Sequence, residues 1–470
     1  MKYNLLGLKI ANHPFCNNIV RISIIFCFLF RSLAVCAQTV DTNKLVLPIL
    51  RDSTKGGSVE YLTVKQCVDY ALKHQPYVNI AAINIDVARE TNGVNLAAWL
   101  PQVNVAGSIE HQIQQAPVNS NANTGTFKPD PNSFVPQLSV TQAIFSPALL
   151  LAGRSAPLYV KQAQQVSDST KIGVVANVAK AFYNVLLTLE QINVLKEDTA
   201  RLGKNLRDAY HQYKGGIVDE TDYLQADISL NNSQVSLKQA NENVVPLYAS
   251  LKRLMGYPPG QQFNVSFDTV QMMQDIHIDT TEQLQYEKRI EFQALNTSKA
   301  LQNQVVNYYR TSFLPTLSAF YDYNLNFQSS TLPQIFSSSY PTSVVGLTIS
   351  IPVFTGFARI HNLRKARLQD KIIDYQGFDL KSQIYTEYTT ALAKYKSNLY
   401  NLQLSQKNVA MAKRVYFVVT LQYKQGIVPY LNVITAESNL ITSETTYLNA
   451  LFQVLSNKID LEKAMGNITY

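Results

Sequence analysis

Between residues 226 and 254 the small and apolar side chains fall at Ala226, Leu230, Ser233, Leu237, Ala240, Val244, Leu247, Leu251 and Leu254, in alternating steps of four and three. That 3.5-residue period predicts a helix with one coiled-coil seam. A second run keeps the same steps through Ala436, Leu440, Ser443, Tyr447, Ala450, Val454, Asn457, Leu461 and Ala464. Each run follows an arm whose end carries the same spacing, Leu202, Leu206, Ala209, Tyr213 in one and Val409, Ala412, Tyr416, Val419, Tyr423 in the other. Ser146-Pro147 is a favourable N-cap and first-turn pair, and only Pro157 interrupts the stretch to Tyr213, so the first arm is predicted to be about 100 Å of helix. Thr355 is predicted to open the second arm. Gly216 and Gly426 then turn each arm back on itself as a helical hairpin.

Elsewhere the period drops to two. Leu317, Ala319, Tyr321, Tyr323, Leu325 and Phe327 alternate with Ser318, Asp322, Asn324 and Asn326, with Phe320 as the exception. Val345, Leu347, Ile349, Ile351 and Val353 alternate with Gly346, Thr348 and Ser350. Val103, Val105 and Ile109, and then Leu138 and Val140, alternate with polar neighbours in the same way. These are four predicted strands, each with one apolar and one polar face.

The chain is written twice. At an offset of 210, Tyr213, Gly216, Ile217 and Val218 fall on Tyr423, Gly426, Ile427 and Val428, and the register holds without a gap to Gly256 on Gly466. Leu138 and Phe145 meet Leu347 and Phe354 at offset 209, and Leu100-Pro101 meets Leu314-Pro315 at offset 214. The drift between those anchors is an insertion, placed in a loop. The division predicted is a first repeat over 61–256, with strands at about 102–113 and 135–145, and a second over 284–466, with strands at about 316–327 and 343–354. Residues 257–283 join them as a linker and 467–470 form a C-terminal tail.

Composition narrows the class. Of 470 residues 46% are hydrophobic and only 16% charged, which excludes a disordered chain. The net charge of +8 looks like a nucleic-acid signal, but Lys2, Lys9, Arg21 and Arg31 all lie in an acid-free stretch at the N-terminus. The rest carries 37 basic against 33 acidic residues, so no nucleic-acid partner is expected. Ile22 to Phe30 is an apolar core too short for a membrane span, leading to Val35-Cys36-Ala37 before Gln38. Residues 1–37 therefore read as a secretory signal peptide, and 38–60 as an N-terminal extension. A lipoprotein signal ending at Cys36 is the rival, disfavoured by the bulk of Val35. Three of the four cysteines lie in this leader, which leaves Cys67 alone and permits no internal disulfide.

No enzyme is legible. His74, His111, His211, His277 and His361 are scattered without metal-ligand spacing, and neither a phosphate loop nor a nucleophile elbow occurs. No cofactor is expected, and energy for any transport must come from a partner. Arg359, Arg364, Lys365 and Arg367 follow the second strand pair and read as a solvated collar rather than a ligand site.

Four nearly uncharged strands of about ten residues on an exported chain have the length and dyad of an outer-membrane barrel. A soluble antiparallel sheet covered by helices would alternate too, but long seamed helices leave little apolar surface to cover it. Four strands cannot enclose a pore, and lipid does not tolerate open edges, so such a barrel has to be shared between chains.

Over nearly all of the exported part the sequence resembles the TolC family of outer-membrane efflux proteins. The features that carry the resemblance are Leu62-Thr63-Val64 through Ala71-Leu72 and Gln75-Pro76 ahead of Leu100-Pro101, the strand end Ile349-Ser350-Ile351-Pro352-Val353-Phe354, the Tyr-x-x-Gly turns at Tyr213 and Tyr423, and the duplication itself. The resemblance implies a mostly α fold with a β-barrel: a homotrimeric channel, four strands per chain in a shared twelve-stranded barrel, and coiled-coil-like helices forming a periplasmic α-barrel. It places the protein in the outer membrane of a Gram-negative bacterium, among outer-membrane lipid, with its helices in the periplasm. It implies a passive exit duct for small molecules or proteins, working with a periplasmic adaptor and an energised inner-membrane pump. The alternative is a soluble periplasmic coiled-coil scaffold or adaptor, but an adaptor has one hairpin where this chain has two.

In that family the two turns form the periplasmic tip, where adaptors dock and a constriction opens. The resemblance carries docking onto Gly216, Ile217 and Val218 and onto Gly426 and Ile427, and a gate onto Asp222 and Tyr423. Where the family has a gate arginine this chain has Val428, and where a second acid is common it has Asn432, so its gate is expected to rest on packing and neutral hydrogen bonds. Read without the family, Asp222 is a helix-start acid favoured by the dipole and Tyr423 a seam residue in register with Val419 and Tyr416. The exported protein is expected to begin at Gln38; its intact mass checks this, and an acyl mass on Cys36 is the contrary outcome.

Overall fold

The structure, a computed structural model, describes residues 60–114, 130–266, 276, 278 and 283–470. The predicted leader and most of the predicted extension, together with His277, lie outside the described residues. Each repeat is built as helix, strand, strand, long helix, shorter helix. The first has α2 (Pro76–Ala97), β2 (Gln102–His111), β3 (Asn132–Phe145), α3 (Pro147–Lys214) and α4 (Glu220–Met255). It is preceded by β1 (Glu60–Leu62) and α1 (Val64–His74). After β4 (Phe263–Val265) come α5 (Ile290–Thr311), β5 (Thr316–Ser329), β6 (Ser339–Ser350), α6 (Ala358–Lys424) and α7 (Tyr430–Met465).

The long arms are as the seams predict: α3 is 68 residues and α6 is 67, about 100 Å each at 1.5 Å per residue. Each runs past two shorter helices laid end to end. Beside α3 these are α4 and then α2, and the splice between them is made by Gln75, whose side chain donates to the carbonyls of Arg253 and Leu254 at 3.2 and 2.9 Å, after which Pro76 starts α2. The second copy uses a charge at the same point. Arg289 donates to the Ala464 carbonyl at 3.0 Å and to the carboxylates of Glu291 and Glu387 at 2.9 Å each, and Ile290 starts α5. In both cases a buried donor satisfies helix-end carbonyls that would otherwise be orphaned. The spliced ends also need glycine, because Gly256 and Gly466 have φ of 68° and 75°.

The two larger clusters of buried residues hold this arrangement. Cys67, Ala71, Val178, Phe182, Val185, Leu251, Met255 and Phe263 pack α1, α3, α4 and β4 together. Burial pushes the Cys67 thiol up to about 12, so it is inert filling rather than a nucleophile. Ala391, Tyr395, Leu402, Val454, Leu455, Leu461 and Met465 do the same between α6 and α7. Part of α3 is long and apolar enough by composition to cross a membrane, yet that helix supplies much of the first core.

The seam of α4 is only partly covered: Ala226, Ser233 and Leu251 are buried, while Ile228, Val235 and Val245 on its other face are exposed. The seam of α7 is buried far more fully, because α7 lies between α6 and α3. The helical layer thus runs α4, α3, α7, α6 and ends on two uncovered helices.

The sheet repeats that logic. Its order is β2-β3-β5-β6, antiparallel throughout, so β2 and β6 are open edges among the described residues. The register aligns the apolar positions into one face: Val103 pairs with Val140, Val140 with Tyr321 and Tyr321 with Val345. Asn104, Ser139, Asp322 and Val344 form a row on the opposite face. Phe320, the exception to alternation, lies over Gly346; a Cβ there would stand 2.6 Å from its ring.

Several boundaries differ from expectation. Pairing extends β3 back to Asn132 and β5 on to Ser329, whereas β2 stops at His111 instead of about 113. The strand expected at 343–354 runs from Ser339 to Ser350, because its partner β5 begins at Thr316, just after Pro315, and Pro352 has no N–H to donate. The second arm starts at Ala358 rather than Thr355, since Gly356 and Phe357 take left-handed φ of 58° and 64°. The linker of 257–283 contains β4, which pairs in parallel with β1 at the end of the expected extension.

A Cβ at Gly256 would lie 2.6 Å from the His74 carbonyl oxygen, whereas nothing lies within 4 Å of one at Gly216. Gly216→Ala is expected to cost only the left-handed strain of about 1–2 kcal/mol. Gly256→Ala should lower the melting temperature in detergent by clearly more, because the splice itself has to move.

Candidate functional site

The two turns at the far end of the helical layer are built alike. In the first, the Gly216 N–H donates to the Tyr213 carbonyl at 2.9 Å and the Ile217 N–H to that of Gln212 at 2.9 Å; in the second, Gly426 and Ile427 donate to Tyr423 and Gln422 at 2.9 and 3.0 Å. Both are Schellman closures, with the glycines at φ of 70° and 71°. Asp219 and Pro429 then start the return helices, and Ile217 and Ile427 project as exposed apolar tips. Val218 is half-buried beside the first tip.

Behind the turns the copies diverge. In the first hairpin Tyr213 stacks on Tyr223 with centroids 6.1 Å apart, and the Lys214 ammonium sits 5.6 Å over the Tyr210 and Tyr213 rings. In the second, Tyr423 is buried against Tyr430 at 5.2 Å, in a cluster with Val433 of its own hairpin and Ala209 and Ala226 of the other. Neither hydroxyl of the Tyr423–Tyr430 pair has a hydrogen-bond partner among the described residues. Burial, then the Asp222 and Asp208 carboxylates, push the Tyr423 phenol up to about 12. Tyr430 is raised as well, again chiefly by burial.

The four predicted gate residues therefore separate. Tyr423 is deep in the inter-hairpin cluster, and Val428 packs half-buried against that cluster. Asp222 lies in the first turn of α4, and burial, with Asp219 beside it, raises its carboxyl above the usual range. It is close enough to Tyr423 to perturb it, but no hydrogen bond joins them. Asn432 is exposed on α7 and takes no part in the cluster. Lys424 and Asp208 add an ion pair between the hairpins at 3.7 Å.

Sequence reasoning missed Tyr430 and a polar group further back along the hairpins. There Arg201 pairs with Asp198, Asn205 donates to Tyr416 at 3.1 Å and to Glu437 at 3.3 Å, and Lys413 pairs with Glu444 at 3.1 Å. The one available signal was divergence between the copies: at offset 210, Tyr430 replaces Glu220 and Met411 replaces Arg201.

The chain thus combines an uncovered four-stranded sheet, apolar on one face, with a layer of helical hairpins about 100 Å long, an architecture that a scaffold made only of coiled coils lacks. The chain belongs to the outer membrane efflux protein family, whose model matches residues 67–257 and 283–467. It is 23% identical over 421 residues to the probable efflux pump outer membrane protein TtgC of Pseudomonas putida, covering 87% of this chain and 83% of that one. With the outer membrane protein TolC of Vibrio cholerae it shares 19% over 440 residues, 91% of this chain and 96% of that one. Its fold is that of the outer membrane protein VceC of Vibrio cholerae, with a TM-score of 0.69, 16% identity, and coverage of 86% of this chain and 96% of that one.

Because the two tyrosine hydroxyls are buried without partners, Tyr423→Phe and Tyr430→Phe are expected to leave the tip as closed as the parent, or slightly more so. Tyr430→Ala should loosen it by about 3–5 kcal/mol, the usual loss for a buried aromatic. Protease cleavage at the two turns reads both outcomes.

Proposed function

We propose that three copies of this outer-membrane protein close into one duct. Each gives its four strands to a twelve-stranded barrel, and each gives its helical layer to a tunnel reaching into the periplasm. The observation that carries this reading is the pair of open edges on each layer: β2 and β6 on the sheet, α4 and α6 on the helices. The exposed apolar row at the edges, with Val103 and Val105 on β2 and Val345, Leu347 and Ile349 on β6, suits lipid and not water. Unpaired backbone groups cannot remain in lipid, so each edge takes a neighbour's opposite edge.

The face carrying Asn104, Ser139, Asp322 and Asn324 then lines a water-filled lumen. Phe313, Phe354 and Phe357 sit at the junction of sheet and helices, where the Arg359 guanidinium lies 5.7 Å over the Phe313 ring and donates to the Pro352 carbonyl at 3.1 Å. That is a position for an aromatic and basic collar at the periplasmic membrane surface. The duct itself does no chemical work. A periplasmic adaptor docks at the tips around Gly216, Ile217, Val218, Gly426 and Ile427, and an energised inner-membrane pump selects the cargo, small molecules or proteins.

Tyr423 and Val428 hold the hairpins together by packing, and Asp222 sets the charge at the narrow end. Three symmetry-related Asp222 carboxylates near one axis attract cations and repel anions, so the closed or partly open pore is expected to prefer cations. Planar-bilayer reversal potentials in asymmetric salt should show that preference weakened in Asp222→Asn, most clearly at low ionic strength. Identical potentials for the two proteins would return Asp222 to a helix-start role. A monomer by detergent-corrected light scattering would remove the duct reading itself.

A further inference from the structure

The buried polar group behind the tip does not balance its charges. Asp198, Glu437 and Glu444 are all at least nine-tenths shielded from water, and they face two cations, Arg201 and Lys413. Asp198 holds Arg201, whose guanidinium also stands 3.9 Å from Glu444, and Glu444 is held by Lys413 at 3.1 Å. Glu437 is left over: the Arg201 Nε stands 3.9 Å away, and its second oxygen has no hydrogen-bond partner among the described residues. Its one hydrogen bond comes from Asn205, which also donates to Tyr416. These residues lie on different hairpins, Asp198, Arg201 and Asn205 on α3, Lys413 and Tyr416 on α6, Glu437 and Glu444 on α7.

We propose that Glu437 is a proton-operated latch between the two hairpins, closed while the carboxyl is neutral and released when it ionises. An unmatched carboxylate in this position lacks the solvation that water would give it, so parting the hairpins relieves it. A neutral carboxyl keeps the Asn205 bond and carries no charge to be solvated. In the closed arrangement burial raises Glu437 from 4.5 to about 7, against the smaller opposing effects of Arg201 and Asn205. Below 4.5 both arrangements hold the proton and closure is at its strongest. Between 4.5 and about 7 only the closed one does, so closure weakens by about tenfold per pH unit in each subunit as pH rises. Alkalinisation therefore opens the tip and acidification shuts it.

The inference rests on the duct reading, but its test does not need conduction. Spin labels placed at the exposed tips by Ile217→Cys and Ile427→Cys, in a background lacking other reactive thiols, report hairpin separation by pulsed electron resonance. In the parent the distance should lengthen as pH is raised from below 4.5 to above 7. Glu437→Gln, an uncharged isostere, should hold the short distance throughout. Asn205→Ala removes the bond that favours the carboxylate and should move the midpoint to higher pH. Glu242→Gln, which removes an exposed carboxyl of α4 outside this polar group, should leave the response intact. A pH response unchanged in Glu437→Gln, or none in the parent, overturns the latch. Absence of conductance in bilayers bears on the duct alone.

Discussion

Everything in this chain is arranged around surfaces that it cannot cover by itself. A four-stranded sheet has two open edges, and a layer of four helices has two uncovered flanks; here the sheet ends on β2 and β6 and the helical layer on α4 and α6. In water such edges invite aggregation, and in lipid they are too costly to exist. The duplication makes the solution repeatable: each copy contributes two strands and one hairpin, so in the assembly proposed above adding chains would continue the pattern already joining the copies.

The copies have not stayed equivalent. In the second hairpin Tyr423 and Tyr430 are buried against Ala209 and Ala226, while the matching Tyr213 stays half-buried against Tyr223. The splice between the shorter helices diverges likewise, from a neutral Gln75 to a charged Arg289 held by two carboxylates. Identical backbone closures at Gly216 and Gly426 thus carry different side-chain environments. The fold tolerates this because the turns are set by backbone geometry at Gly216 and Gly426, and at each splice any buried donor that reaches the helix-end carbonyls suffices.

The sequence made the seams, the arms, the strand alternation and the duplication legible, because each is periodic and period maps directly onto geometry. Phe320 broke that period, and only its cross-strand partner Gly346 explains why the strand continues regardless. The start of α6 was misplaced by three residues, since a left-handed Phe357 has no sequence signature of its own. At the tip, Tyr423 could be found by its register and by family resemblance. Tyr430 and Arg201 were marked only by divergence between the copies, and Glu437 not at all, because burial of a polar side chain depends on which helices meet around it, and that is a tertiary fact.

The open flanks also govern how such an object comes into being. One chain presents two exposed flanks, and a pair of chains, having joined one of each, still presents two. Only the third chain makes two joins in a single step and leaves none. In the trimer proposed above, partial assemblies are therefore little better protected than single chains, and the gain is concentrated in the closing event. Such an ordering produces few lasting dimers and makes the population of unassembled chains the quantity that a cell has to keep from sticking to itself.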